Sequence, residues 1–393
     1  MTDKKVSTKT NRKSLHVLYT GVVYPGVITG GDQLFIDIAP RMPEDIDITI
    51  IAPHFTKDYW KGIKKKNITY KFLPPNRFEF KGNPISIFLA YSIRARQTYK
   101  ILKSENVQTI YSCSDIAYAD IWPAFLMRRD KSIKWLSRVY HVLLPPKSRQ
   151  GNPLVNMVAF RLQRLSFWLM KKRSTTIFAL NPKLRKEMLD LGFPSKNLKV
   201  LGAGIDFKKI NEFKPTKKYP YDVVVLGRIT PVKGIFDAVK IWDKVHAANP
   251  KLRLAWIGGG SDNFRNQLIE QLEAKGLTES FELLGFIDKK EVYNILKSSK
   301  LFLCPDHENG WGLAVCEAMS AGLPVISYDL DIFGSVYKKG YKSVPLYNTE
   351  KFGQAIIDLL GDKKRMKQMS RDAQAQVKQF DHQEVVDTLV KYV

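Results

Sequence analysis

Cysteine is scarce: Cys113, Cys304 and Cys316 are the only three in 393 residues. They stand far apart, with no Cys-x-x-Cys and no histidine at metal-ligand spacing. This excludes a disulfide framework and a zinc module, fits a reducing compartment, and leaves the three as small buried apolar side chains. Long hydrophobic runs are missing too. No stretch of about eighteen uncharged apolar residues occurs, so no membrane-spanning helix is expected. The first apolar run, 15–24, is short, is interrupted by His16 and Thr20, and leads into glycines and not a cleavage site. It reads as a strand, not a signal peptide. Neither a fixed-period repeat nor a low-complexity segment is present, which excludes solenoid and fibrous architectures. Acidic residues are few in one half only. Residues 1–200 hold 35 Lys and Arg against 14 Asp and Glu, whereas residues 201–393 hold 28 against 24. The chain as a whole carries +25. An electropositive first half suggests a nucleic acid, an anionic membrane surface or a phosphorylated partner. Nucleic acid is the weakest of these, because no compact basic helix with interleaved aromatics accompanies the charge.

What is present is a steady alternation. Short apolar runs at 15–20, 46–52, 109–112, 135–140 and 176–180 fill the first half, and others at 222–226, 252–257, 281–284, 301–304 and 324–328 the second. Many are rich in Val, Ile and Leu without clean alternation, as strands buried on both faces are. Helical patterns such as 235–248, 264–274, 290–297 and 352–360 fall between them. This order predicts an α/β chain with parallel sheets covered by crossover helices. The length suits about two or three domains. The polar, basic segment 207–219 holds Pro215 and precedes a fresh strand, so it predicts a linker between residues 1–206 and 220–380. Each half then has its own doubly wound sheet, and ligands sit beyond the carboxyl ends of the strands, between the two domains.

Residues 303–329, LCPDHENGWGLAVCEAMSAGLPVISYD, carry the most chemistry. A strand ends in a polar loop with Glu308 and Asn309. A Gly-Trp-Gly turn, Gly310 to Gly312, then opens a helix through Leu313 and Ala314 to Glu317. Such a helix start offers unpaired N–H groups and the positive end of a dipole to a phosphate. A carboxylate one turn further on can accept from a ribose hydroxyl pair. The plain alternative is a strand–loop–helix with an exposed Glu. In VVVLGRITPVKG, a buried strand ends at Gly227, and Arg228 and Lys233 follow. Two cations five residues apart suit a diphosphate, though two solvated basic residues read the same way. Gly30 and Gly31 after the first strand, and Gly258 and Gly259 in WIGGG, let backbone approach an anion; each is an ordinary turn if taken alone. His141 directly follows a strand, where an imidazole can act on an acceptor hydroxyl or can be structural. Residues 154–173, LVNMVAFRLQRLSFWLMKKR, read either as an interfacial membrane helix or as a domain helix with a basic edge.

Taken in order, these segments resemble a GT-B glycosyltransferase of the large retaining family usually numbered four. The resemblance spans almost the whole chain: Gly30-Gly31, His141, LGFPSKNLKVLGAGID, GRITPVKG, WIGGG, LLGFID, ENGWGLAVCEAMSAGLPVI and the tail KQFDHQEVVDTLVKYV. It implies two Rossmann-like domains facing a cleft, with residues 381–393 packing back on the first. It implies that Arg228 and Lys233 bind the donor diphosphate, that Gly312, Leu313 and Ala314 support the same phosphates, and that Glu317 holds the ribose. Phe286 would frame the base, Gly227, Gly258 and Gly259 would line the phosphate side, Gly30-Gly31 would close on the phosphate and sugar, and His141 would lie beside the donor sugar and acceptor. The reaction implied is retaining transfer of a hexose from a UDP- or GDP-sugar, with no cofactor and no metal required. The basic, aromatic first half is the family's acceptor domain. A lipid-linked acceptor and peripheral attachment to an anionic membrane surface, on the cytoplasmic face, are therefore expected. The alternatives are a soluble acceptor and a non-catalytic nucleotide-sugar-binding protein. One departure stands out. The family usually has two Glu with seven residues between them, yet the position counted back from Glu317 is Asn309, with Glu308 one place early.

Overall fold

The computed structural model describes residues 12–22, 25, 30–81, 83–148 and 152–393. The basic segment 1–11 lies outside them. In the first half the strands are β1 (Lys13–Leu18), β2 (Ile46–Pro53), β3 (Ile68–Leu73), β4 (Thr109–Ser112), β5 (Lys134–Val139), β6 (Thr176–Ala179) and β7 (Leu198–Val200). They pair in the order β3-β2-β1-β4-β5-β6-β7, every neighbour parallel. In the second half β8 (Val223–Leu226), β9 (Leu254–Ile257), β10 (Phe281–Gly285), β11 (Leu301–Cys304), β12 (Val325–Tyr328) and β13 (Tyr341–Val344) follow. Their order is β10-β9-β8-β11-β12-β13, again all parallel. Parallel neighbours need crossover connections, and the amphipathic segments between strands supply them as helices. Each sheet is doubly wound. Strand order reverses between β1 and β4 in one and between β8 and β11 in the other, and the carboxyl ends at such a point are where ligands bind in folds of this kind.

The chain divides into two units, Met1–Ala203 with Val385–Val393, and Gly204–Glu384. In the first, Leu15 and Val17 of β1 and Ile48 and Ile50 of β2 pack with Phe35 and Ile38 of the helix Gly30–Ile38. Val385, Val386 and Leu389 of the last helix, His382–Val390, join the same core. In the second, Val223, Val225, Trp256, Leu303 and Ile326 pack on Trp242 and Phe352. The helix Phe207–Glu212 belongs to this unit.

Charged side chains also hold the first unit. Arg94, on the helix Pro84–Lys103, is 1% exposed. It donates to Glu79 at 2.8 and 3.0 Å and to the carbonyls of Thr20 (3.2 Å) and Val22 (2.6 Å). Asp120, fully buried, accepts from the amide and hydroxyl of Thr20 (2.9 and 2.7 Å) and of Ser114 (3.0 and 2.7 Å). A buried charge is tolerated only when paired or hydrogen-bonded, and both of these are. Together they tie the segment beyond β1 to the one beyond β4. Burial nonetheless disfavours the carboxylate, and the Asp120 pKa is pushed up to about 6 despite four hydrogen bonds.

Candidate functional site

At the switch point of the second sheet, β8 runs out into Gly227, whose amide donates to Ile257 at 2.9 Å. Arg228 is exposed, and its guanidinium has no hydrogen bond or ion pair among the described residues. A short turn, Pro231–Lys233, leads to Gly234 at φ 68°, which opens the helix Ile235–Ala248. A side chain here would be strained, and its Cβ would overlap the Pro305 carbonyl at the end of β11, so the turn needs glycine. Lys233 Nζ pairs with the buried carboxylate of Asp306. Asn309 Nδ2 donates to the same Asp306 oxygen at 2.7 Å, and Asn309 Oδ1 accepts from the Trp311 amide at 3.1 Å. Both functions of the Asn309 amide are thus engaged within the loop. Glu308 beside it is exposed, with no partner among the described residues.

Gly312, at φ 83°, then starts the helix Leu313–Ala321 without a side-chain cap. The first helical bond runs from Cys316 N to Gly312 O at 2.9 Å, so the amides of Leu313 and Ala314 have no acceptor inside the helix. Tyr337 supports the turn from within, its hydroxyl lying 3.0 and 3.1 Å from the carbonyls of Trp311 and Gly312 and 2.9 Å from Cys316 Sγ. Burial pushes the Cys316 thiol up to about 12 and Cys304 well above its usual range, so both act as apolar filler. Glu317 is half-buried one turn into the helix. Beyond β9, Gly258 donates to Gly285 and Gly259 accepts from Ile229, each at 2.8 Å. Phe286, 85% exposed as a residue, rests an edge of its ring on Gly259.

Sequence reasoning missed the anchor of this loop, made by His307 with its two neighbours Asp237 and Tyr328. His307 Nε2 lies 2.9 Å from Asp237 on the helix Ile235–Ala248, and Tyr328 OH donates to the same carboxylate at 2.8 Å. They anchor the loop next to Asp306. Nothing in local spacing links three residues so far apart in the chain.

In the first unit His141 follows β5, its side chain exposed. The adjacent Tyr140 lies on Gly31 and donates to its carbonyl at 2.9 Å, so the Gly30-Gly31 helix start and the His141 segment are brought together. Gln163 secures the same segment. Its Nε2 donates to Asp115 Oδ2 (2.8 Å) and to the His141 carbonyl (2.9 Å), while its Oε1 accepts from the Leu143 amide (2.8 Å). Burial raises the Asp115 pKa, and the Gln163 hydrogen bond and the His141 ring oppose that rise. Asp115 and Gln163 were not singled out by the sequence. The only available signal was a glutamine on the buried face of an apolar helix.

That helix, Pro153–Arg173, buries Gln163, Phe167 and Met170 and leaves Leu154, Val158 and Trp168 exposed. Arg161 and Lys172 are exposed on the same stripe, and Lys172 Nζ sits 3.9 Å above the Trp168 ring. Among the described residues no helix is long and apolar enough to cross a membrane, and no three His, Cys, Asp or Glu side chains converge as metal ligands do.

Comparison with known proteins agrees with this layout. Residues 206–376 match the family model described as glycosyl transferases group 1. Poly(glycerol-phosphate) alpha-glucosyltransferase of Bacillus subtilis is 30% identical over 162 residues, which is 40% of this chain and 23% of that protein. Alpha-monoglucosyldiacylglycerol synthase of Acholeplasma laidlawii is 24% identical over 157 residues, 40% of this chain and 39% of that one. The chain thus spans less than two thirds of the length of these curated relatives. Among solved structures, Anabaena HepE in complex with UDP and glucose superposes with a TM-score of 0.71 at 15% identity, covering 97% of this chain and 98% of that one. The fold is GT-B, two Rossmann-like parallel sheets, and the match to the glycosyl transferases group 1 model lies on the second of them.

Proposed function

We propose that the protein is a retaining, metal-independent glycosyltransferase that moves a hexose from a UDP- or GDP-sugar to a lipid-linked acceptor at the cytoplasmic membrane face. The observation that carries this reading is the switch point of the second sheet, where Arg228, Lys233 and the uncapped start of the helix Leu313–Ala321 cluster at strand carboxyl ends. As the bond from the anomeric carbon to the diphosphate breaks, negative charge grows on the leaving oxygen. Arg228 and Lys233 stabilise it, taking the part a divalent ion plays elsewhere. Leu313 and Ala314 amides, with Gly312 and Gly227, hold the same phosphates. Glu317 accepts from the ribose, and Phe286 and Gly258-Gly259 border the base and phosphate side. His141 and the Gly30-Gly31 turn serve the sugar and acceptor. Glu308 is the uncommitted carboxylate for a sugar hydroxyl or for developing positive charge, because Asn309 is held by Asp306 and Trp311.

Two observations support the lipid acceptor: the basic, apolar stripe on the helix Pro153–Arg173, and the lipid acceptor in the name of the Acholeplasma relative. The Bacillus relative, named for a glycerol-phosphate polymer, and the Mycobacterium tuberculosis relative named glycogen synthase support a second reading in which the acceptor is a polymer and not a lipid. Both are tested together. UDP-, GDP- and ADP-sugars are screened for a rise in melting temperature, since a ligand bound only by the native state raises it. The best donor, radiolabelled, is then offered to lipid extract and to soluble sugar phosphates or polymers. Label entering the lipid phase is the expected result. Label entering only soluble product supports the second reading, and no stabilisation with no transfer overturns the glycosyltransferase assignment.

A further inference from the structure

We infer that Gln163 is a positioning residue for sugar transfer, holding the His141 segment in place from the helix Pro153–Arg173; this rests on the role given to His141 above. Gln163 is 6% exposed. Its one amide makes three hydrogen bonds within 2.8–2.9 Å: two donated, to the Asp115 carboxylate and the His141 carbonyl, and one accepted, from the Leu143 amide. These partners come from the segments beyond β4 and β5, so a single side chain joins two strand ends. Only a primary amide has two donors and an acceptor to offer here. Glutamate loses both donors while ionised, leucine loses all three bonds, and asparagine is one methylene shorter. The effect reaches further along the chain, because Tyr140 binds the Gly31 carbonyl. A shift of residues 140–143 therefore moves the imidazole and the glycine turn together. Displacement of a reacting group by about 1 Å costs roughly 10²-fold in rate.

A structural role alone would affect folding. A positioning role affects turnover far more than binding of UDP, whose main ribose and diphosphate contacts are assigned above to the other unit. The test compares wild type with Gln163→Leu and Asp115→Asn in the full chain. The assays measure kcat and donor KM for transfer and the melting-temperature shift given by UDP. Gln163→Leu is expected to lower kcat about 10²-fold, with donor KM altered by no more than about a few-fold and the UDP shift largely kept. Asp115→Asn, whose amide oxygen still accepts from Gln163, is expected to stay within a few-fold of wild type. If Gln163→Leu does not fold, the near-isosteric Gln163→Glu takes its place, with the same loss of kcat expected. The inference is overturned if the folded variant keeps wild-type kcat, or if kcat and the UDP shift fall together. A wild type that binds UDP but transfers no sugar overturns the functional reading itself, and this inference with it.

Discussion

At the switch point of the second unit Arg228 stands exposed, and Lys233 shares one buried carboxylate with Asn309; at that of the first unit Arg94 and Asp120 are buried, and their polar atoms are bonded to the chain itself. The winding is the same and the use of charge is opposite. In the second unit cations stay available to a ligand. In the first, Arg94 and Asp120 hold backbone that leads toward Gly31. A strand-end charge is therefore not by itself a binding group; what decides is whether its hydrogen bonds are already complete.

The sharpest way to break this contrast is to remove the available cations. Arg228→Ala and Lys233→Ala should each lower transfer by about 10²-fold or more, the scale of losing one positioned donor at a developing anion. Wild-type rates in both variants would remove the diphosphate assignment. Lys233→Ala should also destabilise the fold, because it removes the cation that pairs with the buried Asp306 carboxylate.

Asp120 tests the other side of the contrast. Its carboxyl holds a proton up to about pH 6 in the folded chain, against 3.8 as the ordinary value. Protonation thus favours the fold. The stabilisation is complete below the ordinary pKa and is lost as pH rises through about 6, a decline of about 3 kcal/mol for a shift of this size. Asp120→Asn should abolish that slope in denaturant titrations between pH 4 and 7, with the UDP-induced melting shift intact. Parallel stability curves for the two proteins would show that Asp120 is not the titrating group.

A smaller effect is expected where the two uses of charge meet. Asn309→Glu sets a second carboxylate against Asp306 and removes the amide donor, and should weaken donor affinity about tenfold by like-charge repulsion in a sheltered loop. Asp306→Ser in the same chain should restore most of it. If Asn309→Glu alone binds UDP or GDP as tightly as wild type, the Lys233–Asp306–Asn309 linkage does not govern the site.

The second unit was the more legible half. Central strands such as β8, β9, β11 and β12 read directly from apolar runs, because both faces are buried. The strands that the runs did not reveal, β3, β7 and β13, are all sheet edges. β3 alternates burial along Ile68–Leu73, and β13 is mostly half-exposed or exposed, so neither forms a continuous run. The cluster at the β8–β11 switch point was legible because Arg228, Lys233 and the turn at Gly312 lie in compact local patterns. Arg94, Asp115, Asp120, Gln163 and Asp237 were not. Each acts on partners far away in the chain, and one polar residue in an apolar segment gives no sign of its partner.

The first unit also bears most of the positive charge and the exposed apolar stripe, so the lipid contact proposed above is assigned to it. Trp168 is 47% exposed, and Lys172 rests on its ring. At an interface the indole can enter the headgroup region while the ammonium stays with phosphate. Each such basic residue near an anionic surface contributes about 1 kcal/mol, and loss of one anchor should cost roughly fivefold in partitioning. Trp168→Ala and Lys172→Gln should each reduce sedimentation with acidic vesicles at low salt by that amount, and leave UDP protection unchanged. Salt should weaken wild-type binding, because the attraction is screened. Equal partitioning onto neutral and acidic vesicles, or no loss in either variant, would take the lipid surface away from this stripe and favour the soluble acceptor.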